Sequence, residues 1–306
     1  MKRDCASSGL AGPCKKIGSV HLIDKPERWF APAKLNLFLH VIGRRKDGYH
    51  QLQTLFQLLD KGDALQFEPL SGGELQLEVR NNTTGQRLPL ENNLVLQAAR
   101  LLRKHANTPA LGARIAIDKH IPICGGLAGG SSDAATTLIA LNKCWRLNLS
   151  QAELQSIGLR LGADVPLFLE GRSAWAEGIG EQLQPVTLQP RWFLVVTPNC
   201  EVSTAEIFGH ENLTRNSPAI KMADFLSGGS RNDCEPVTCE LYPEVAQALA
   251  WLAQFGRAEM TGTGASVFVS FASEAHAQTV LSKVPPRWRG FVARGINSLE
   301  PGRYPT

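Results

Sequence analysis

The run Pro122-Ile123-Cys124-Gly125-Gly126-Leu127-Ala128-Gly129-Gly130-Ser131-Ser132-Asp133 restricts this chain more than any other segment. Arg114-Ile115-Ala116-Ile117-Asp118 before it reads as a strand, and residues 134–145 after it read as a helix dense in alanine and leucine. A strand, a glycine-rich turn and a helix start form an anion site. Glycines let backbone amides curl around phosphate oxygens, and the helix directs its positive end at the same charge. Ser131 and Ser132 add hydroxyls able to hydrogen-bond or to help hold a magnesium ion. The order Gly-x-x-x-x-Gly-Lys-Ser/Thr is absent, so this is no Walker loop, and Gly-x-Gly-x-x-Gly fits no part of it.

The elements around this run point to a mixed α/β protein. Residues 33–41 alternate as a half-buried strand, followed by a polar turn from Gly43 to Gly48. Gly62-Asp63 and Ser71-Gly72-Gly73 punctuate two further short strands, and Leu75, Leu77 and Val79 mark another. Asn93 caps a predicted helix over 94–105 whose end is basic. Ser150 and Glu153 form a capping box for a helix over 151–161. Beyond Gly180 the pattern changes, with Gln184-Pro185 and Gln189-Pro190 at the junction. A compact strand over 192–196 follows, then helices over 243–254 and 273–283 and strands over 265–270 and 290–293. The expected division is a flexible extension over 1–24, a first domain over 25–185 and a second over 186–306.

Composition excludes several classes. No apolar run approaches the eighteen or so residues of a membrane-spanning helix, and polar residues, glycines and Pro13 break the stretch after the basic start. Seven scattered cysteines without a Cys-x-x-Cys pair fit a reducing cytoplasm rather than a zinc site or disulfide framework. A net charge of +4 suits an anionic small molecule and is no nucleic-acid footprint.

The glycine-rich run resembles the second motif of the superfamily of galactokinase, homoserine kinase, mevalonate kinase and phosphomevalonate kinase. Pro32-Ala33-Lys34-Leu35-Asn36-Leu37 is similar to its first motif, and Thr261-Gly262-Thr263-Gly264-Ala265-Ser266 to its third. Arg45-Lys46-Asp47-Gly48-Tyr49-His50, Leu161-Gly162-Ala163-Asp164-Val165-Pro166 and residues 173–181 extend the likeness over about 29–296. They resemble the branch acting on cytidine diphosphate methylerythritol, on the methylerythritol phosphate route to isoprenoids. Cys124 and Ala128 depart from it, standing where these kinases carry glycine.

The resemblance implies a two-domain α/β (α+β) fold, first domain like ribosomal protein S5 domain 2 and second ferredoxin-like. It implies ATP, held by residues 122–132, with magnesium accompanying the nucleotide, and transfer of the γ-phosphate to the substrate's 2-hydroxyl. Lys34 and Asp164 are then the catalytic pair. A lysine inside an apolar strand is costly to bury without a partner, and Asp164 can supply one. A lysine at a strand edge and an aspartate capping a helix are the competing readings. Asn36, Tyr49, His50, Phe208, Gly262, Thr263 and Gly264 are expected around the substrate, with Tyr49 and Phe208 on either face of the cytosine. Phe208 alone would as readily be a core aromatic, residues 262–264 a simple turn, and Asn93 only a cap. The expected state is a monomer or weak homodimer, with no nucleic-acid or membrane partner. Another kinase of the superfamily and a non-catalytic RNA-binding module are the alternatives.

Overall fold

A computed structural model of the chain describes residues 28–82, 92–228 and 230–299, and Arg303. The extension expected over residues 1–24 lies outside the described residues.

Two long antiparallel strands, β1 (Arg28–Arg44) and β2 (His50–Ser71), form the spine. The turn expected at Gly62-Asp63 does not end β2. There the pairing steps from Pro32 opposite Gly62 to Lys34 opposite Leu58, and the bulge absorbs the extra residues. Glycine is required because a Cβ at 62 would stand 2.2 Å from the Ala31 carbonyl oxygen.

β3 (Leu75–Asn81) leads through α1 (Leu94–His105) to β4 (Leu111–Lys119), which pairs parallel with β3 and antiparallel with β2. Asn93 caps α1 by accepting from the Val95 amide at 2.9 Å. α2 (Gly129–Cys144), α3 (Gln151–Leu159), α4 (Val165–Glu170), β5 (Ala174–Glu177) and β6 (Gln182–Pro185) complete this half. The predicted Ser150–Glu153 capping box is present at α3. Phe67, Leu102, Ile115, Leu138, Leu141 and Phe168 lie in the core between the sheet and these helices. Burying each such side chain stabilises the fold by roughly 1.5–3 kcal/mol.

The second half contains β7 (Trp192–Thr197), α5 (Thr204–Gly209), α6 (Met222–Leu226), α7 (Glu235–Leu241) and α8 (Pro243–Leu252). β8 (Ala258–Met260), β9 (Val267–Phe271), α9 (Glu274–Leu281) and β10 (Arg289–Ile296) follow. Its own core includes Leu194, Val196, Val245, Leu252, Val267 and Trp288. The two halves share one sheet path, β3-β4-β2-β10-β7-β9-β8. β10 makes the join: residues 289–294 pair with β7, then Gly295 and Ile296 pair with Leu59 and Leu58 of β2. β1 contributes too, since the Val41 amide donates to Asp233 Oδ2 at 2.8 Å. This is the two-domain α+β fold expected, with a cleft between the halves. No described helix is long and apolar enough to cross a membrane.

Candidate active site

A cleft of about 700 Å³ opens where the three motif segments meet. Their meeting point is the carbonyl oxygen of Gly126, which accepts from Lys34 Nζ at 2.9 Å and from Thr261 Oγ1 at 3.2 Å. Thr261 Oγ1 also accepts from the Asn36 amide at 2.9 Å, and the Lys34 amide donates to the Leu127 carbonyl at 3.2 Å. Segments far apart in sequence are thus fastened to one another by hydrogen bonds. Gly126 has φ +72°, and a Cβ there would stand 2.2 Å from the Thr261 carbonyl oxygen. Only glycine fits.

The glycine-rich run forms one wall. α2 begins at Gly129, five residues before the position expected, so Gly129 to Ser132 are its first turn and the loop proper ends at Ala128. Four glycines predict a loop there, whereas a helix N-terminus tolerates glycine well. Pro122, Ile123, Cys124, Gly125, Gly126, Ala128, Gly129, Gly130 and Ser131 line the cleft, while Leu127 packs into the core and Ser132 is fully buried. Both departures from glycine occupy left-handed backbone: Cys124 and Ala128 each have φ +55°. A side chain in that region costs on the order of 1 kcal/mol, which is why glycine suits both positions. Burial and the nearby Glu201 charge push the Cys124 thiol up, keeping it in its less reactive protonated form.

Beneath the loop lies a cluster that sequence reading missed. Lys119 Nζ, at the end of β4, donates to Asp63 Oδ2 and to Asp133 Oδ2, the latter at 2.7 Å. Asp63 Oδ1 accepts from the amides of His120 and Ile121 at 2.5 and 2.9 Å. Burial alone would lower the Lys119 pKa, but Asp133 and Asp63 together outweigh it and hold the amine charged. Burial raises the Asp133 carboxyl, with the Asp63 charge adding to it and Lys119 opposing. Gly129 passes directly over this cluster, as a Cβ there would lie 3.2 Å from Lys119 Nζ. Asp63 had the look of a turn residue and Lys119 of a strand end, so nothing in the local pattern linked them.

Lys34 and Asp164 face each other across the cleft floor. Lys34 is 3% exposed and its Nζ is 3.8 Å from Asp164 Oδ2. Burial lowers the lysine pKa, and the Asp164 charge works against that. The remaining donors go to Gly126 and to Asn36 Oδ1, and the Phe56 ring lies 5.5 Å from the amine. Asp164 precedes α4 but makes no side-chain cap bond, so the capping alternative does not describe it. The edge-lysine alternative fails as well.

At the opposite end, of the residues expected around a base, Phe208 reaches the cleft, whereas His50 and Tyr49 stand outside its lining. The His50 ring stacks on Phe208, with centroids 5.1 Å apart and 25° between planes. One face of Phe208 is therefore covered by His50, and Tyr49 is 60% exposed at the adjoining turn. Phe208 lines the cleft, as do Gly262 and Thr263, whereas Gly264 does not. Thr263 Oγ1 is 3.1 Å from Thr204 Oγ1, which ties the third motif to α5. The Asn36 amide, expected to orient substrate, is engaged at both ends: Oδ1 accepts from Lys34 and Nδ2 donates to Thr54 Oγ1 at 2.9 Å. Asn93 lines the cleft while capping α1.

A glycine-rich loop facing a buried lysine and its half-buried carboxylate partner, on this two-part fold, defines a phosphotransferase site. Residues 93–172 match the GHMP kinases N terminal domain and residues 213–289 the GHMP kinases C terminal domain. The chain belongs to the GHMP kinases and is an ATP-dependent kinase of a small molecule. It is 52% identical over 268 residues to the 4-diphosphocytidyl-2-C-methyl-D-erythritol kinase of Alkalilimnicola ehrlichii, covering 88% of this chain and 90% of that one. The enzyme of the same name from Nitrosococcus oceani is 51% identical over 269 residues, 88% of this chain and 94% of the relative. A crystal structure of 4-(cytidine 5'-diphospho)-2C-methyl-D-erythritol kinase matches with a TM-score of 0.75 at 32% identity, covering 88% of this chain and 100% of that one.

Proposed function

We propose that this kinase transfers the γ-phosphate of ATP to the 2-hydroxyl of 4-diphosphocytidyl-2-C-methyl-D-erythritol, a step towards isoprenoid precursors. The observation that carries the reading is the placement of Lys34 and Asp164 between two kinds of wall. One is the phosphate cradle of residues 122–132, the other the end lined by Phe208, on which His50 stacks. The names and close similarity of the relatives support the same substrate.

In this mechanism the loop amides and the α2 N-terminus hold the triphosphate, so its charge meets aligned dipoles without further reorganisation. Lys34 holds the Asp164 carboxylate beside the alcohol. The Asp164 carboxylate takes the hydroxyl proton while the alcohol oxygen bonds to the γ-phosphorus. The bond between that phosphorus and the bridging oxygen breaks, leaving ADP. Asn36 acts through Lys34, fixing the amine rather than the polyol. The Gly262 and Thr263 loop closes the substrate side, and Tyr49 adds an aromatic surface beside His50.

Magnesium, bound with the nucleotide, shields phosphate charge. Two residues at the start of α2 fit such an ion: Ser131 and Asp133 line the cleft, and Asp133 Oδ1 is a buried oxygen without a hydrogen-bond partner. Division of the chain into a nucleotide-binding part over 25–185 and a second part over 186–306 is supported by the family matches, which fall on either side of residue 185. The free thiols of Cys124, Cys200, Cys234 and Cys239 support a cytoplasmic setting. The enzyme works on small molecules alone, without nucleic acid or membrane, as a monomer or weak homodimer.

The experiment is a substrate panel read by ADP release. With ATP and magnesium present, the cytidine diphosphate methylerythritol substrate is expected to give turnover. Mevalonate, homoserine and galactose are expected to give none above background. Turnover on one of these instead, or on no alcohol at all, would overturn the assignment.

A further inference from the structure

Arg215 lies behind the His50–Phe208 stack and has no part in the phosphoryl-transfer machinery described above. Its guanidinium makes a dense set of bonds. Nε donates to His50 Nε2 at 3.2 Å, and Nη2 donates to the carbonyls of Phe208 and His210 at 3.0 and 2.7 Å. Nη1 donates to the Leu213 carbonyl at 3.1 Å and, more weakly, to that of Glu211 at 3.4 Å. His50 opens β2 in the first half of the molecule, whereas Phe208 and His210 belong to α5 and its C-terminal end in the second. One side chain therefore fastens His50 to the Phe208 backbone across the halves, behind the end of the cleft that Phe208 lines.

The bond to His50 has a chemical consequence. A guanidinium only donates, so Nε2 must be the bare, accepting nitrogen and the ring proton resides on Nδ1. The charges that bear on the ring are Arg215 and Arg44. Both disfavour a second proton, adding to the effect of burial, which is the largest cause of the lowered His50 pKa.

Resting on the assignment of the His50–Phe208 end to the cytosine, we propose that Arg215 is a specificity-determining positioning residue. It locks His50 as the neutral Nδ1–H tautomer, stacked on Phe208, so that the ring offers the substrate base a fixed donor for one of its acceptor atoms. Lysine cannot replace it. An ammonium is a compact point donor without the planar fork that spans an imidazole and two carbonyls at once.

The test has two independent arms. In the unaltered enzyme, long-range proton–nitrogen NMR, with the His50 signals assigned from His50→Gln, reads the tautomer directly. A protonated Nδ1 and bare Nε2 near neutral pH are expected; a protonated Nε2 would overturn the proposal without any variant having to fold. The second arm compares Arg215→Met and Arg215→Lys with the parent, by calorimetric binding of cytidine diphosphate and by KM for each substrate. Loss of the fixed donor should raise the cytidine diphosphate Kd and the KM of the cytidine substrate about tenfold in both variants, with KM for ATP little changed. Unchanged cytidine binding, or equal rises in both KM values, would overturn the role of Arg215 while leaving the substrate assignment intact. An unaltered enzyme that binds no cytidine diphosphate would overturn both.

Discussion

Lys34 Nζ lies 3.8 Å from Asp164 Oδ2, although β1 carries the lysine and the turn before α4 the carboxylate. The lysine side chain is 4% exposed and the aspartate 33%, so the charge pair spans the boundary between core and cleft. A buried amine meeting a carboxylate that water and substrate can reach suits a proton acceptor beside the reacting alcohol. Asp164→Asn and Lys34→Met are each expected to reduce turnover by at least about a hundredfold. Their circular dichroism spectra should match the parent. Near-normal turnover in a folded variant would remove that residue from the chemistry.

Gly126 tests whether the motif junction sets the shape of the cradle. Gly126→Ala places a methyl group against the Thr261 carbonyl in a left-handed backbone. The loop must shift, taking with it the carbonyl that holds Lys34. We expect weaker ATP binding together with lower turnover, by calorimetry and steady-state kinetics. A variant that binds ATP normally would show the contact to be dispensable.

The Asp63–Lys119–Asp133 cluster predicts a stability effect with a rescue. Lys119→Met leaves two carboxylates buried with no cation between them, and breaking a buried pair in this way costs about 3–5 kcal/mol. Adding Asp133→Asn to Lys119→Met removes one of those charges and should recover part of the loss. Chemical denaturation measures both. Equal stability of the single and double variants would contradict the account.

A second prediction on stability concerns pH. Burial, reinforced by Glu235 and opposed by Arg257, pushes the Glu259 carboxyl from 4.5 up to about 7. Its folded pKa exceeds the unfolded one, so its contribution is full below about 4.5 and is lost as pH rises towards 7. The loss is at most about 3 kcal/mol by the free energy of a pKa shift, and less because water reaches part of the side chain. Glu259→Gln should flatten this slope, gaining on the parent at pH 8 and not at pH 4. Melting curves at the two values decide it.

Much of this architecture was legible because its signals are local. The Asn93 cap, the Ser150–Glu153 box and the alternation in β3 each depend on residues a few positions apart, and each appears where expected. The second and third motifs announced the site because glycines such as Gly126 and Gly262 answer to left-handed backbone and close approach. What stayed hidden depends on tertiary pairing. β2 continues past Gly62 because β1 accommodates a bulge, and β10 bridges the halves through two residues that carry no bridging pattern. The Asp63–Lys119 contact and the Arg215 fork link residues 56 and 165 positions apart, beyond the reach of any periodicity. The sequence places His50 near the substrate, but its stacking on Phe208 follows only from the packing of α5 against the start of β2.

The most direct measurement is a crystal structure with a non-hydrolysable ATP analogue, magnesium and the cytidine diphosphate substrate. The triphosphate is predicted within hydrogen-bonding distance of amides in residues 125–132, with the 2-hydroxyl between Asp164 and the γ-phosphorus. Phosphates bound away from that loop, or an Asp164 carboxylate turned to solvent with the alcohol elsewhere, would contradict it.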